Sequence, residues 1–582
     1  MFGRLFDESE QRAEKPTIKQ AHSGGLERLV RESLDEATAL SLLAEAKFER
    51  PRQVLGQLDV LKQKRYGPFA TRPDVAHRRG TGPDDLGVYL LQTVASAPRR
   101  EQAMSFLMRL ISQVGDRSWF YEMLAENPHA TRLLVHVFGS SELLAKILLL
   151  DPNVISRLLG AGSITVEMSR EAMRAELDSM LVRVIDPDHR IGVMHRFQQE
   201  QFLRLGLHEV GGASSTQATL EQLGVLAELT LRAVYQEVWQ NLRTGLLRQD
   251  ASSFPQGLPE RVEELPLCVL AMGKLGGLEP GFGSDLDILF VGEPDGGKGW
   301  SMEVYSKLAR RLVRALSSPG RQGRFYEVDT RLRPMGQQGT LVVGLDAFAQ
   351  YHRESAGLWE RQALCRARVI VGEEQAAGRL QQTCTDLAME RPLPGDLREQ
   401  MASMRQRMLD DFLTPHGADR GFHIKKSRGG LIDVEFVTQY LQLRLAAAHP
   451  ELAASRAADA TRGAWLDRGA LSQNTLDALT AFARSEALEP DLWAIASLER
   501  HDFEQMAQDY ELLRKLELRL QLGSTQRDAL IPEEREERRE LARLLGLHGE
   551  DAVAQLDHLL MQVRQRVRRI TDEVLMNGAR AT

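Results

Sequence analysis

The chain has 582 residues, 43% of them hydrophobic and 27% charged, with a formal net charge of -7. This is the composition of a globular protein with room for about three to four structural units, and its mild acidity calls for neither nucleic acid nor an anionic membrane as partner. The three cysteines Cys268, Cys365 and Cys384 are odd in number and far apart, which argues against a disulfide scaffold or a zinc site and fits a reducing cytoplasm.

Aromatic residues make up only 6% of the chain. Leu, Ala, Arg and Glu dominate instead, and these side chains lose little rotamer freedom in helices. The N-terminal stretch MFGRLFDESEQRAEKP is charged and lacks the apolar core of a signal peptide. Apolar runs such as Ile147–Leu150 are too short to span a bilayer.

In chain order, residues 1–25 are polar and predicted loose. Residues 26–250 form a helical region. Within Met104–Gln113, Leu107, Leu110 and Ile111 recur at helical spacing. Ser140–Leu159 is also helical, broken at Asp151-Pro152. Tyr66–Leu86, rich in Pro, Gly, Arg and Asp, reads as a loop, and Ser252–Gly257 as a connector. Residues 251–385 then change texture. Leu267–Met272 is a short apolar run suited to a buried strand. The glycine-rich segment Gly273–Gly283 follows, then a strand at Ser284–Val291. A helix at Met302–Leu316 stacks Val304, Leu308, Leu312 and Leu316, and a third strand covers Phe325–Arg333. The order indicates a small α/β domain. Residues 390–582 return to a helical pattern, a C-terminal bundle. The predicted fold class is therefore mainly α with one α/β domain, and only one set of central motifs is found.

The chemistry concentrates in that α/β domain. Residues two apart in a strand share a face. Asp285 and Asp287 therefore stand side by side, while Leu286 and Ile288 point into the core. Two adjacent carboxylates repel, and a divalent cation with a preference for hard oxygen ligands, Mg²⁺, removes the repulsion. A chance DxD at a solvated strand end is the alternative for that pair alone. On the third strand Tyr326, Val328 and Leu332 alternate with Glu327, Asp329, Arg331 and Arg333. Asp329 can complete a three-carboxylate metal site, and Arg331 and Arg333 can hold phosphate oxygens; an exposed ion-paired strand is the alternative. Gly273, Lys274, Gly276 and Gly277 follow the first strand. Glycines let backbone amides approach phosphates, and Lys274 adds a point charge. The spacing is not that of a Walker A loop. Ser284, just before the aspartate pair, is counted with the nucleotide-binding residues.

Together these parts describe nucleotidyl transfer assisted by two Mg²⁺ ions, with the glycine loop and arginines orienting a triphosphate and pyrophosphate leaving. Arg361, Arg366 and Arg368 extend the phosphate pocket or form a solvated basic face. Lys425 or Lys426 reaches the nucleotide from the following helical domain. The alternative is that Gly429-Gly430 simply introduces a capped amphipathic helix, with Val434, Val437 and Leu441 on one side and Asp433 and Glu435 at its N-terminus. The arginines of the last helix (Arg564, Arg566, Arg568, Arg569) are expected on a solvated face.

Five blocks carry a family resemblance: AMGKLGG (271–277), GSDLDILF (283–290), YEVDTRLRPMGQQGTLVV (326–343), WERQALCRAR (359–368) and IKKSRGGLIDVEF (424–436). The sequence resembles the bacterial glutamine-synthetase adenylyltransferase / adenylyl-removing enzyme family. HRFQQEQFLRLGLHEV (195–210) and the helical residues 121–159 extend the likeness, and residues 1–100 match least. Family members carry two such units in tandem, one adding AMP to a tyrosine of glutamine synthetase and one removing it by phosphorolysis. The YEVDxRLRP, QALxRAR and GLIDVEF blocks look closer to the C-terminal, adenylylating unit. AMGKLGG and WER are also at home in the removing unit, and Met335 stands where serine is expected. The resemblance implies a polymerase-β-like nucleotidyltransferase domain flanked by helical domains, with Mg²⁺ and ATP. It implies glutamine synthetase as protein substrate, and PII signalling protein and glutamine as regulators. Phosphorolytic removal of AMP is the rival activity, and a non-catalytic nucleotide- or protein-binding regulatory module the rival from another class. A uridylyl-transferring relative is disfavoured by the GKLGG and RLRP blocks.

Overall fold

The computed structural model describes residues 20–64, 67–70, 86–151, 154, 167–249, 258–293, 301–320, 323–389, 393–413, 421–452, 469–523 and 529–576. Two compact units divide the chain. The first comprises Met1–Glu167, Gln199–Ser215 and Arg519–Arg527, and the second Met168–Gln198, Thr216–Leu518 and Asp528–Thr582. Among the described residues the protein is mostly helical, with one small mixed sheet.

The first unit is helical throughout its described residues. Its first helix is Gln20–Arg31, so the tail expected to stay loose to residue 25 is helical from Gln20 onward; residues 1–19 lie outside the described residues. The helix predicted around Met104–Gln113 runs over Arg100–Val114 and buries Leu107, Leu110 and Ile111. The predicted 140–159 segment starts a new helix, Glu142–Leu150. Ser141 Oγ caps it by accepting from Leu144 N at 3.1 Å, and it ends at Asp151, where the Asp-Pro signal stands. Most of the 66–86 loop and all of the 252–257 connector lie outside the described residues.

The second unit carries the sheet. Strands β1 (Leu267–Ala271), β2 (Leu286–Gly292), β3 (Val328–Asp329), β4 (Val342–Gly344) and β5 (Arg368–Val371) form one five-stranded sheet in the order β3-β2-β1-β5. Strands β1 and β2 are antiparallel, as are β1 and β5, whereas β3 and β4 run parallel to β2. All five residues of β1 are buried, as its uninterrupted apolar run requires for a central strand. The helix Met302–Ser317 packs against β2, β3 and β4, and Leu308, Leu312 and Leu316 form its buried stripe together with Tyr305.

Two elements depart from the sequence expectation. The third strand is two residues long, not nine, because the chain turns at Thr330–Gly339. Arg333 holds that turn by donating to Thr330 O at 2.8 Å and Gly339 O at 3.1 Å, and Met335 sits in the left-handed region with φ 62°. The helix Leu431–Ala448, expected to be amphipathic, is buried almost all round and contacts the helices at 374–389, 397–413, 475–484, 489–496 and 552–571. Two of its buried polar side chains find partners inside the protein: Gln442 Nε2 donates to Ser472 O at 2.7 Å, and Asp433 accepts from Arg405 Nε at 2.5 Å.

Candidate active site

Strand register assembles the carboxylates. Asp285 immediately precedes β2 and Asp287 lies within it, while Leu286 and Ile288 are buried. The parallel pairing of β2 with β3 sets Asp287 opposite Asp329. Asp285, Asp287 and Asp329 each offer a carboxylate oxygen within 4.8 Å of the others. This all-oxygen donor set suits a hard divalent cation such as Mg²⁺.

The electrostatics match that donor set. Burial pushes the Asp287 carboxyl up to about 7, and the charges of Asp285 and Asp329 push in the same direction, against Lys425 and Arg331. Burial raises Asp329 too. The outcome is nevertheless below the usual range, because Arg331 donates from Nε to Oδ2 at 2.8 Å and from its backbone N to Oδ1 at 2.8 Å. A cation placed among the three aspartates removes the repulsion that Asp287 carries. Proton and metal therefore compete for that carboxylate. Because its pKa in the fold is above the unfolded value, the metal-free protein loses stability as pH rises from about 4 through about 7. The added stability from Mg²⁺ is therefore expected to be larger at pH 8 than at pH 5.5. Thermal melts with and without millimolar Mg²⁺ check this, and equal increments at both pH values would contradict the assignment.

The glycine segment forms one short helical turn, Gly273–Gly276. Gly273 has φ +52°, and a Cβ there would lie 2.5 Å from Asp287 Oδ2. Glycine is needed on both counts. Gly273→Ala forces Asp287 to move and adds backbone strain of order 1–3 kcal/mol. Mn²⁺ affinity is expected to fall about tenfold or more in that variant, as measured by calorimetry. Gly276 and Gly277 have a different reason to be glycine. Their Cβ atoms would meet Arg366 O at 1.8 Å and Gln473 O at 2.7 Å, so protein packing demands them. Ser284 Oγ accepts from Gly281 N at 2.8 Å, which closes the loop leading into β2.

The cations divide into two groups. Lys425 lies on the turn before the helix Leu431–Ala448, half-buried. Its ammonium makes no hydrogen bond or ion pair with a described residue, and its charge acts on Asp287, Lys274 and Glu517. Arg331 is 68% exposed beyond its contact with Asp329, so it can also reach a ligand.

Lys426, next to Lys425 on the same turn, is exposed, with Nζ 5.4 Å over the Phe412 ring. The remaining cations expected at phosphates each have a partner within the protein. Arg333 clips its own turn. Lys274 donates to Glu517 Oε1 at 2.6 Å, and burial lowers it to about 8 despite that carboxylate. Arg361 donates to Ala388 O at 3.0 Å. Arg366 is buried and pairs with Glu279, and with Glu435 at 3.4 Å. Arg368 is buried against Glu228 and donates to Gly276 O at 2.8 Å. Arg366 and Arg368 are thus neither pocket arms nor a solvated face; they tie the glycine turn to the helices around it. On the last helix, Arg566 reaches Asp509 and Arg569 reaches Asp502, both at 2.5 Å, and Arg564 lies 4.5 Å over the Phe422 ring, so these three are not merely solvated.

Sequence reasoning missed Glu279, Tyr510, Arg514 and Glu517. The Glu279 carboxylate accepts from Arg366 and from Tyr510 OH at 2.8 Å, and its backbone carbonyl accepts from Arg514. A lone acid inside the glycine-rich, apolar stretch 273–283 was the signal available.

Three carboxylates at one small mixed sheet, with cations at their edge, are an arrangement that can support metal-assisted phosphoryl or nucleotidyl transfer. Comparison with known proteins agrees with that class. Residues 131–383 match the family model described as glutamate-ammonia ligase adenylyltransferase, and the carboxylates lie within the matched segment. Residues 397–575 match a second model, described as GlnD PII-uridylyltransferase. Among curated proteins, the chain is 32% identical over 419 residues to the bifunctional glutamine synthetase adenylyltransferase/adenylyl-removing enzyme of Chromobacterium violaceum, covering 70% of this chain and 43% of that protein. It is 31% identical over 468 residues to the protein of the same name from Nitrosococcus oceani, covering 78% and 46%. The chain thus spans less than half the length of these relatives. No described helix is long and apolar enough to cross a membrane.

Proposed function

We propose that this chain is an Mg²⁺-dependent nucleotidyltransferase that moves AMP from ATP to a tyrosine hydroxyl of glutamine synthetase, releasing pyrophosphate and so regulating nitrogen assimilation in the cytoplasm. The observation that carries the reading is the convergence of Asp285, Asp287 and Asp329 within 4.8 Å, inside the segment that matches the adenylyltransferase family. In this reading residues 251–385 are a polymerase-β-like catalytic domain, flanked by helical domains at 26–250 and 390–582.

The three aspartates would hold the metal, in the two-ion arrangement expected for this chemistry. Bound Mg²⁺ supplies activation of the attacking oxygen and offsets charge at the α-phosphorus. The chain's own groups orient the nucleotide. Lys425 and Arg331 bring positive charge to the edge of the cluster, where the triphosphate is held. Gly273 lets the turn before Lys274 lie against Asp287. A new bond forms between the tyrosyl oxygen and the α-phosphorus as the bond from the α-phosphorus to the bridging oxygen breaks; that oxygen leaves with pyrophosphate, and the phenolic proton passes to solvent water. Lys425→Met is expected to raise the KM for ATP about tenfold.

Removal of AMP by phosphorolysis uses the same carboxylates with phosphate as acceptor, and the relatives' names carry both activities. The similarity of residues 397–575 to a PII-uridylyltransferase supports PII protein as regulator; glutamine as a second regulator rests on the family resemblance alone. The test combines purified chain, glutamine synthetase, Mg²⁺ and α-labelled ATP. Label on the synthetase is the expected result. Phosphate-dependent loss of AMP from modified synthetase instead would assign the removing direction. Neither activity, with PII protein and glutamine present, would overturn the reading in favour of a binding module.

A further inference from the structure

The helix Arg500–Gly523 presents Tyr510, Arg514 and Glu517 at four- and three-residue spacing, on one face. All three act on the turn that begins at Gly273. Tyr510 OH donates to Glu279 Oε2 at 2.8 Å, and Arg514 donates to the carbonyl of Glu279. Glu517 uses both carboxylate oxygens, Oε1 for Lys274 Nζ at 2.6 Å and Oε2 for Arg514. Lys274 is 14% exposed and Glu517 5%. Tyr510 and Arg514 already grip the turn through Glu279, so holding the backbone does not require a charged lysine. A buried ion pair is poor evidence of stabilisation, since an apolar pair of similar volume commonly does as well. What Glu517 adds is a fixed position for the Lys274 ammonium, one residue along the chain from Gly273, which lies against Asp287.

We propose that Glu517 is a positioning residue for the nucleotide: it holds Lys274 in place and in its charged form on the turn that lies against Asp287, so that the ammonium contributes to binding the polyphosphate of ATP. The inference rests on the nucleotidyl-transfer reading above. The charged groups that face Lys274 are Glu517 and Arg514 from the 500–523 helix, Lys425 from the turn before the 431–448 helix, and Glu435 from that helix. Burial, Arg514 and Lys425 favour loss of its proton, whereas Glu517 and Glu435 oppose it. Removing the Glu517 charge therefore leaves Lys274 easier to deprotonate at neutral pH.

The test measures Mg²⁺–ATP affinity by calorimetry on the full chain at pH 6.0 and 8.0, each variant as a ratio to wild type at the same pH. Circular dichroism confirms folding. Glu517→Gln is expected to weaken binding about tenfold at pH 8.0, with the ratio returning toward one at pH 6.0. Lys274→Met is expected to weaken it at both pH values, and Glu517→Gln added to Lys274→Met to change nothing more. Should Glu517→Gln alone fail to fold, the double variant against Lys274→Met still decides the matter, since a further loss in the double variant would show that Glu517 does not act through Lys274. A Glu517→Gln ratio that is the same at both pH values would overturn the proposal as well. Wild type that binds no Mg²⁺–ATP would sink the nucleotidyl-transfer reading itself, whereas normal wild-type binding with an indifferent Glu517→Gln would sink only this inference.

Discussion

Asp287→Asn should lower AMP transfer by about three orders of magnitude or more while leaving the protein folded. Asparagine keeps the shape of the side chain and removes one of three converging charges. Loss of a metal ligand forfeits several kcal/mol of transition-state stabilisation, and each 1.4 kcal/mol is a factor of ten in rate. The fold has no reason to suffer. In the absence of metal the Asp287 carboxyl is pushed up to about 7 by burial and by its two neighbours, so its ionised form is a burden on the folded state. Metal-free Asp287→Asn should therefore melt at or above the wild-type temperature at pH 8, and the rise in melting temperature caused by Mg²⁺ should vanish. Differential scanning calorimetry and the labelled-ATP assay read the two effects separately. Near-normal transfer by the folded variant would remove the carboxylate proposal; a lowered metal-free melting temperature would mean that Asp287 serves the fold.

Arg366→Met should destabilise the second unit by about 3–5 kcal/mol, the range for breaking a buried pair from one side. Arg366 is 5% exposed, and its partner Glu279 is 2% exposed. Burial alone would lower the pKa of the guanidinium, but Glu279 and Glu435 hold it above its ordinary value. Methionine fills part of the space and leaves Glu279 with only Tyr510 and the backbone N of Thr475. The same change made together with Glu279→Gln should cost less than the sum of the two single changes, because the orphaned charge is then gone. Denaturant titration of the four proteins measures the coupling. A free guanidinium arm in a phosphate pocket would give the opposite pattern, with little loss of stability and a raised KM for ATP.

The two results separate what local pattern encodes from what it does not. Asp285 and Asp287 were legible because the two-residue period of a strand is local, and the alternating Leu286 and Ile288 declared which face is buried. The helix Met302–Ser317 was legible for the same kind of reason, its apolar residues recurring at helical spacing. Extension of the third strand to Arg333 was not borne out. Alternation continued through 330–333, but Arg333 spends its guanidinium on its own turn, and side-chain hydrogen bonds to nearby backbone compete with a sheet ladder.

The sequence by itself determined that three aspartates and a set of basic residues occupy one small α/β segment, since short-range periodicity places each side chain on a face. Only the tertiary structure decided what those side chains do there. The register of β2 against β3 sets Asp287 beside Asp329. Partners remote in sequence pair Arg366 with Glu279, 87 residues away, Arg368 with Glu228, 140 residues away, and Lys274 with Glu517, 243 residues away. Lys425, which finds no such partner among the described residues, keeps its charge for the site. The physical reason is that charge pairing depends on distance in space. A buried cation must be neutralised by whichever acid the fold brings to it, and no local spacing rule records which one that is.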